Sequence, residues 1–263
     1  MVRQLIEAGK LDHYKVEITR ILGIPFLNAG VDSAIERLRR GHLMVVPAAP
    51  AMIHLPFDAA YARALVNADF AIADSMYMVL LWLLIKGERI HRVSGLTFLR
   101  TFLDLKDLRE EGSLFLVNPS CEEDERNRDW LACLGIHAPI DLSYTAPMYD
   151  REVVDEHLLE ILRAKRPRYI LINIGGGVQE KLGYYLRRNL DYRPGIICSG
   201  AAIAFLTGHQ ARIPSIVDKI GLGWLVRCIV KPKQFIPRYW QALKLAELMI
   251  CYQECPVHTD TQY

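Results

Sequence analysis

The sequence predicts an α/β fold: a Rossmann-like parallel sheet covered by helices on both faces, followed by a C-terminal helical appendage. Three patterns predict it. Short runs rich in Val, Ile, Leu and Phe recur without polar alternation, as strands buried on both faces do. Amphipathic stretches of helical length separate them, and strand–helix–strand alternation builds a parallel sheet. Beyond Gly208 the alternation stops, and a basic segment rich in aromatic residues takes over.

Strands are predicted at Leu43–Ala48, Phe70–Asp74, Ser113–Val117, Tyr169–Ile174 and Gly195–Ser199. Helices are predicted at Val31–Arg40, Asp58–Asn67, Met76–Lys86, Gly95–Leu105, Glu123–Leu134, Glu152–Ala164 and Gln179–Asn189. Arg212-Ile213-Pro214 and Gly221-Leu222-Gly223-Trp224 break the pattern, and a longer amphipathic helix is expected over Phe235–Ile250. This divides the chain into an α/β body, 1–209, and a basic appendage with its tail, 210–263. A chain of 263 residues is long enough to bury a substantial core.

Composition excludes several classes. A net charge of +2 gives no sign of a nucleic-acid partner. The charge is local instead: Arg227, Lys231, Lys233, Arg238 and Lys244 lie within 227–247, opposed only by Glu247. Six scattered cysteines in a chain of this length read as reduced thiols. Cys251, Cys255 and His258 could form at most a partial metal site, lacking an evident fourth ligand. Met1–Lys10 has no apolar core, so no signal peptide is expected. The longest apolar run, Met76–Ile85, is ten residues, against about 20 for a membrane span, and reads as a buried helix.

In parallel sheets the ligand crevice lies beyond the carboxyl ends of the strands. Asp74 directly follows the apolar strand FAIA. A partly desolvated carboxylate there suits a general base, while an Asp before a helix also suits an N-cap. Arg92 precedes Ser94-Gly95, where a helix begins; a guanidinium beside helix amides suits a phosphate, or is a surface cation. Gly175-Gly176-Gly177 opens a helix after a buried strand, and glycine lets backbone approach a phosphate. The spacing matches neither a dinucleotide fingerprint nor a P-loop. Gln179 and Glu180 at the helix start could hydrogen-bond a base or sugar, or Glu180 could cap the helix. Gly200 closes the last strand. In the appendage, cations interleave with Trp224, Leu225, Ile229, Phe235, Ile236, Tyr239 and Trp240, which suits an anionic membrane surface or a diphosphate, or a helix with a solvated basic face. No Asp-x-Asp follows any strand, so no divalent-metal clamp is expected.

Four stretches resemble one family in order and spacing: FAIADSMYMVLLWLLIKGERIHRVSG (70–95), GGGVQEK (175–181), GAAIAFLTGHQARIP (200–214) and the appendage ending at Trp240. The resemblance is to the WecG/TagA/CpsF glycosyltransferases of bacterial surface-polysaccharide assembly, over about residues 25–245. It implies an inverting, metal-independent enzyme without cofactor, with a UDP-sugar donor and a polyprenyl-diphosphate-linked saccharide acceptor, at the cytoplasmic face of the inner membrane. It would make Asp74 the catalytic base, Arg92 the phosphate-side arginine and Gln179 a nucleotide-site residue. Arg227 and Arg238 would be appendage arginines closing over the diphosphate. The chain departs from the family at Pro47 and Ala49, where Thr-x-Asn is usual, and at Gly177 or Val178, Ala204 and Gly223. These changes point away from N-acetylmannosamine donors and toward another hexose, as in the glucosyltransferases of xanthan-type polysaccharides. An N-acetylmannosaminyl- or N-acetylmannosaminuronyltransferase, a degenerate nucleotide-sugar binder and a dinucleotide enzyme remain alternatives. Self-association stays open.

Overall fold

The computed structural model describes residues 17–200, 202–207 and 243–259. The body starts with a hairpin, β1 (Ile18–Ile21) and β2 (Ile24–Leu27). α1 (Val31–Arg39), β3 (Leu43–Val45), α2 (Ala49–Met52), α3 (Ala59–Val66), β4 (Phe70–Ala71), α4 (Met76–Lys86) and α5 (Gly95–Leu103) follow. Next come β5 (Leu114–Asn118), α6 (Cys121–Cys133), β6 (Ser143–Thr145), α7 (Glu156–Lys165), β7 (Tyr169–Ile172), α8 (Val178–Asn189), β8 (Gly195–Cys198) and α9 (Ala202–Leu206). α10 spans Lys244–Tyr252.

Among the described residues, eight strands form one sheet in the order β1-β2-β4-β3-β8-β7-β5-β6. All pairings are parallel except the β1–β2 hairpin. The central strands send alternate side chains into two cores, one on each face, because successive residues of a strand point to opposite sides. Leu43, Val45, Ile170, Ile172, Ile196 and Cys198 join one core; Met44, Tyr169, Leu171 and Ile197 join the other. This two-sided burial is why the strands carry no polar alternation.

Glycines let two helices lie close on the sheet. A methyl group built on Gly195 would stand 2.6 Å from the Leu38 carbonyl oxygen and 2.9 Å from Tyr169 Cδ1. One on Gly183 would stand 2.6 Å from Cys198 Sγ. Here α1 and α8 lie directly on the sheet.

The body strands and helices fall where the sequence puts them, with shorter strands. β3 stops at Val45 because Pro47 has no amide to donate. β4 stops at Ala71, two residues before Ala73 takes a different partner, Arg92. Asp155 caps α7, which therefore starts at Glu156 and not at the expected Glu152. The hairpin and the edge strand β6 are absent from the sequence reading. Pro25 masks β2, and the hairpin turn uses Leu22 at φ 54° with Gly23 at φ 77°, without an Asn-Gly signature.

α4 corrects one expectation. It reads as a buried helix, yet only Met78 and Trp82 are buried, one turn apart, while Leu80 is 50 % and Leu84 81 % exposed. The buried row packs on the body and on α10. α10 itself puts Leu245 and Met249 into the core, and the amides of Leu22 and Gly23 donate to the carbonyls of Gln253 and Glu254. The expected boundary at 209/210 and most of the expected helix Phe235–Ile250 lie outside the described residues.

Candidate functional site

Four parallel strands, β4, β3, β8 and β7, end side by side at the middle of the sheet. From β3 the chain continues to β4 on one side, whereas β8 is entered from β7 on the other. Such a reversal is where open α/β sheets hold ligands. Asp74 follows β4, Gly175 and Gly176 follow β7, and Gly200 follows β8. Gln179 and Glu180 lie in the first turn of α8, and Arg92 pairs through its backbone with Ala73. Neighbouring strands lie about 4.8 Å apart, so three steps separate the Asp74 strand from the glycine turn by about 14 Å. Arg227 and Arg238 lie outside the described residues.

At the β4 end, the backbone sets the geometry. The Val93 amide donates to the Ala73 carbonyl at 3.1 Å, and Arg92 Nε donates to the Asp74 carbonyl at 2.8 Å. Asp74 Oδ1 accepts from the Gly95 amide at 3.1 Å and lies 4.0 Å from Arg92 Nη2. Oδ2 accepts no hydrogen bond among the described residues. Asp74 does not cap α4, since Ser75 does, accepting from the Met78 amide. Nor is it sealed in the core: its side chain is 39 % exposed. The Gly95 amide at the head of α5 therefore answers Asp74 and does not stand open for a phosphate.

Asn28, at the end of β2, was not singled out by the sequence reading. Its Oδ1 accepts from the His91 amide at 2.7 Å, and its Nδ2 donates to the Arg89 carbonyl at 3.2 Å. These two bonds fix the segment that delivers Arg92. Its signal in the sequence is a lone polar residue closing an apolar strand. Asn118 and Asn173 carry the same signal. Asn118 donates to Asp124 Oδ1 at 2.7 Å and accepts from Asn173 Nδ2 at 2.9 Å, locking the ends of β5 and β7 together. Asn173 Oδ1 and Ser199 Oγ, at the ends of β7 and β8, are buried without a hydrogen-bond partner among the described residues.

At the β7 end, Gly175 and Gly176 are exposed, and a methyl group on either meets no atom within 4 Å. Gly177 has φ +90°, which glycine alone adopts readily. Glu180 reaches back to this turn: Oε2 accepts the Gly177 amide at 2.6 Å, and Oε1 accepts Gln179 Nε2 at 3.0 Å. Gln179 Oε1 in turn accepts the Gly200 amide at 2.6 Å. Gln179 and Glu180 turn inward at 2 % and 1 % exposure and join two strand-end loops; of the two readings of Glu180, ligand contact or helix cap, the structure shows the cap, on the Gly177 amide. Burial pushes the Glu180 carboxyl up to about 7, against the pull of its own backbone, Gln179, Gly177 and Lys181. Lys181 is held by Asp58 Oδ2 at 3.1 Å and the Arg151 carbonyl at 2.9 Å.

Residues 19–255 match the profile described as the glycosyl transferase WecG/TagA/CpsF family. The chain belongs to this family. It is a glycosyltransferase, built to move a sugar from a donor to an acceptor. No curated protein matches it. Among the described residues of this WecG/TagA/CpsF glycosyltransferase, no three His, Cys, Asp or Glu side chains are grouped to hold a metal ion, and no helix is long and apolar enough to cross a membrane.

Proposed function

We propose that this glycosyltransferase is an inverting enzyme that takes a hexose, glucose in first place, from a UDP-sugar. It adds the hexose through a β-1,4 bond to a polyprenyl-diphosphate-linked saccharide in exopolysaccharide assembly. One observation carries the reading. A carboxylate paired with an arginine, Asp74–Arg92, and an open glycine turn share one sheet edge, about 14 Å apart by strand spacing. That separation suits a nucleoside diphosphate sugar laid across the β3 and β8 ends.

The reaction is a single displacement. Asp74 takes the proton of an acceptor hydroxyl, and that oxygen attacks the anomeric carbon opposite the diphosphate. The bond from the anomeric carbon to the β-phosphate oxygen breaks, its electron pair leaves with UDP, and the configuration inverts. Arg92 and the Gly175 and Gly176 amides offset the charge arriving on the leaving group, with Arg227 and Arg238 of the appendage adding to them. Positioned general-base help is worth about 10²–10⁴-fold. The enzyme works at the cytoplasmic face of the inner membrane, where each basic appendage residue adds about 1 kcal/mol of attraction to anionic lipid.

The test is incubation with a panel of UDP-sugars and a synthetic prenyl-diphosphate-linked glucose, read by mass spectrometry. A product one hexose heavier, formed from UDP-glucose, is expected. Turnover of UDP-N-acetylmannosamine alone would move the enzyme to that donor class. Tight UDP-sugar binding without any turnover would make it a nucleotide-sugar binder, consistent with the loss of side-chain donors at Pro47 and Ala49.

A further inference from the structure

The side-chain hydrogen bonds through Gln179 all run toward Glu180, from the Gly200 amide to Gln179 and from Gln179 to the Glu180 carboxyl. An ionised carboxylate accepts and cannot donate. Facing Glu180 Oε1, the Gln179 amide must therefore present its NH₂ group, which turns its carbonyl oxygen toward the Gly200 amide. The same carboxylate takes the Gly177 amide on its other oxygen. One charge thus orders two loops on different strands. Protonation would place a hydrogen on one Glu180 oxygen and remove the charge from both, weakening its hold on the Gly177 amide and on the Gln179 NH₂ group. Gly200, at φ +61° beside Gln179, would keep the Gln179 oxygen as its acceptor, but on a side chain held less firmly from its other end.

We infer that Glu180 is a positioning residue: its negative charge holds the Gly175–Gly177 turn and the Gly200 loop in the arrangement that binds the donor diphosphate, and donor binding weakens when that charge is lost. The inference rests on the donor reading above. Glu180 itself never touches the sugar nucleotide, being 1 % exposed. The groups around it leave it as the switching element. Lys181, on its own helix, is committed to Asp58 and the Arg151 carbonyl. Tyr61 of α3 and Cys198 of β8 are buried, and burial together with the Glu180 charge keeps both neutral. β3, packed against α8, has no titratable side chain. Glu180 titrates near 7, so the change falls in the physiological range.

Two measurements test this on the full chain. The first needs no ligand. In protein labelled with [¹⁵N]glycine, the Gly177 and Gly200 amide signals should move together with pH, sharing one midpoint near neutrality, and E180Q should abolish both movements. A shift at Gly177 alone, or at neither, overturns the linkage. The second is calorimetric titration of UDP-glucose, whose diphosphate diester does not itself titrate here, between pH 5.5 and 8.5. Wild-type affinity should fall about tenfold per pH unit below the midpoint, one proton being taken up as the ligand leaves. E180Q should bind with a pH-independent affinity. Binding at pH 8.5 that stays constant to pH 5.5 refutes the role of Glu180 alone. Absence of binding at every pH, with the amide titration intact, refutes the UDP-glucose donor instead.

Discussion

Replacing Glu180 by Gln should change the pH dependence of folding stability in a calculable way. Burial raises this carboxyl from 4.5 to about 7 in the folded protein. Between those values the folded chain holds a proton that the unfolded chain has released. Stability therefore falls as pH rises through the window, by about 1.4 kcal/mol per pH unit, and levels off above it. Over the whole window the fall amounts to about 3 kcal/mol. Gln cannot ionise, so E180Q lacks this slope, whatever constant offset its NH₂ group introduces beside the Gly177 amide. Subtracting the variant from the wild type cancels the other titrating groups, and only the Glu180 contribution should remain. The assay is urea denaturation of both proteins at pH 5, 6, 7 and 8. With a urea slope of about 1–3 kcal/mol/M, the difference between the two midpoints should change by about 1–3 M across the series. The wild type should lose ground to E180Q as pH rises. A difference independent of pH, or one of opposite sign, would refute a buried carboxylate that is charged only at the expense of stability. Stability and donor binding should thus move in opposite directions as the pH falls.

Other expectations concern separate parts of the molecule. Gly195→Ala should lower stability by about 1–3 kcal/mol or more, because the new methyl group meets the Leu38 carbonyl at 2.6 Å and backbone yields less than a side chain does; thermal denaturation reads it. Asn28→Ala should lower transfer rate more than fold stability, since it removes the two bonds that hold the Arg89–His91 segment ahead of Arg92; parallel kinetics and denaturation separate the two. Transfer should continue unchanged in EDTA, since the proposed mechanism meets the leaving charge with arginines and backbone amides, and a loss of rate restored by a divalent ion would contradict that mechanism.

The body of the fold was legible because its strands obey one rule. Runs such as Tyr169–Ile172 and Gly195–Cys198 are buried on both faces, and burial on both faces leaves a continuous apolar run. The hairpin was not legible. Pro25 reads as a breaker, and its Leu22–Gly23 turn gives no strong local signal, being held in place by the backbone of Gln253 and Glu254 more than 200 residues later. α4 misled for a related reason: the sequence gives its apolar character but not which face a neighbour covers, and only the Met78–Trp82 row meets the core.

The candidate site was legible as positions and less so as contacts. Asp74, Gly175 and Gly200 could be placed at strand ends from the pattern alone. What each side chain does depended on long-range partners: Asp74 finds the Gly95 amide 21 residues on, and Gln179 finds Gly200 at the same separation. The reach of Glu180 back to the Gly177 amide was legible as a helix cap, but no local signal could have shown that Gln179 bridges from Glu180 to the Gly200 loop. The lone asparagines closing β2, β5 and β7 were the missed clue, since a polar residue ending an apolar strand must satisfy its amide somewhere.

Steady-state kinetics of Asp74→Asn tests the central claim most directly. Asn keeps an oxygen for the Gly95 amide, so the loop should hold its shape while the base is gone. With UDP-glucose and a prenyl-diphosphate-linked glucose, kcat should fall about 10²–10⁴-fold with donor KM within a few-fold of wild type. A kcat close to wild type would contradict proton removal by Asp74 and the displacement built on it.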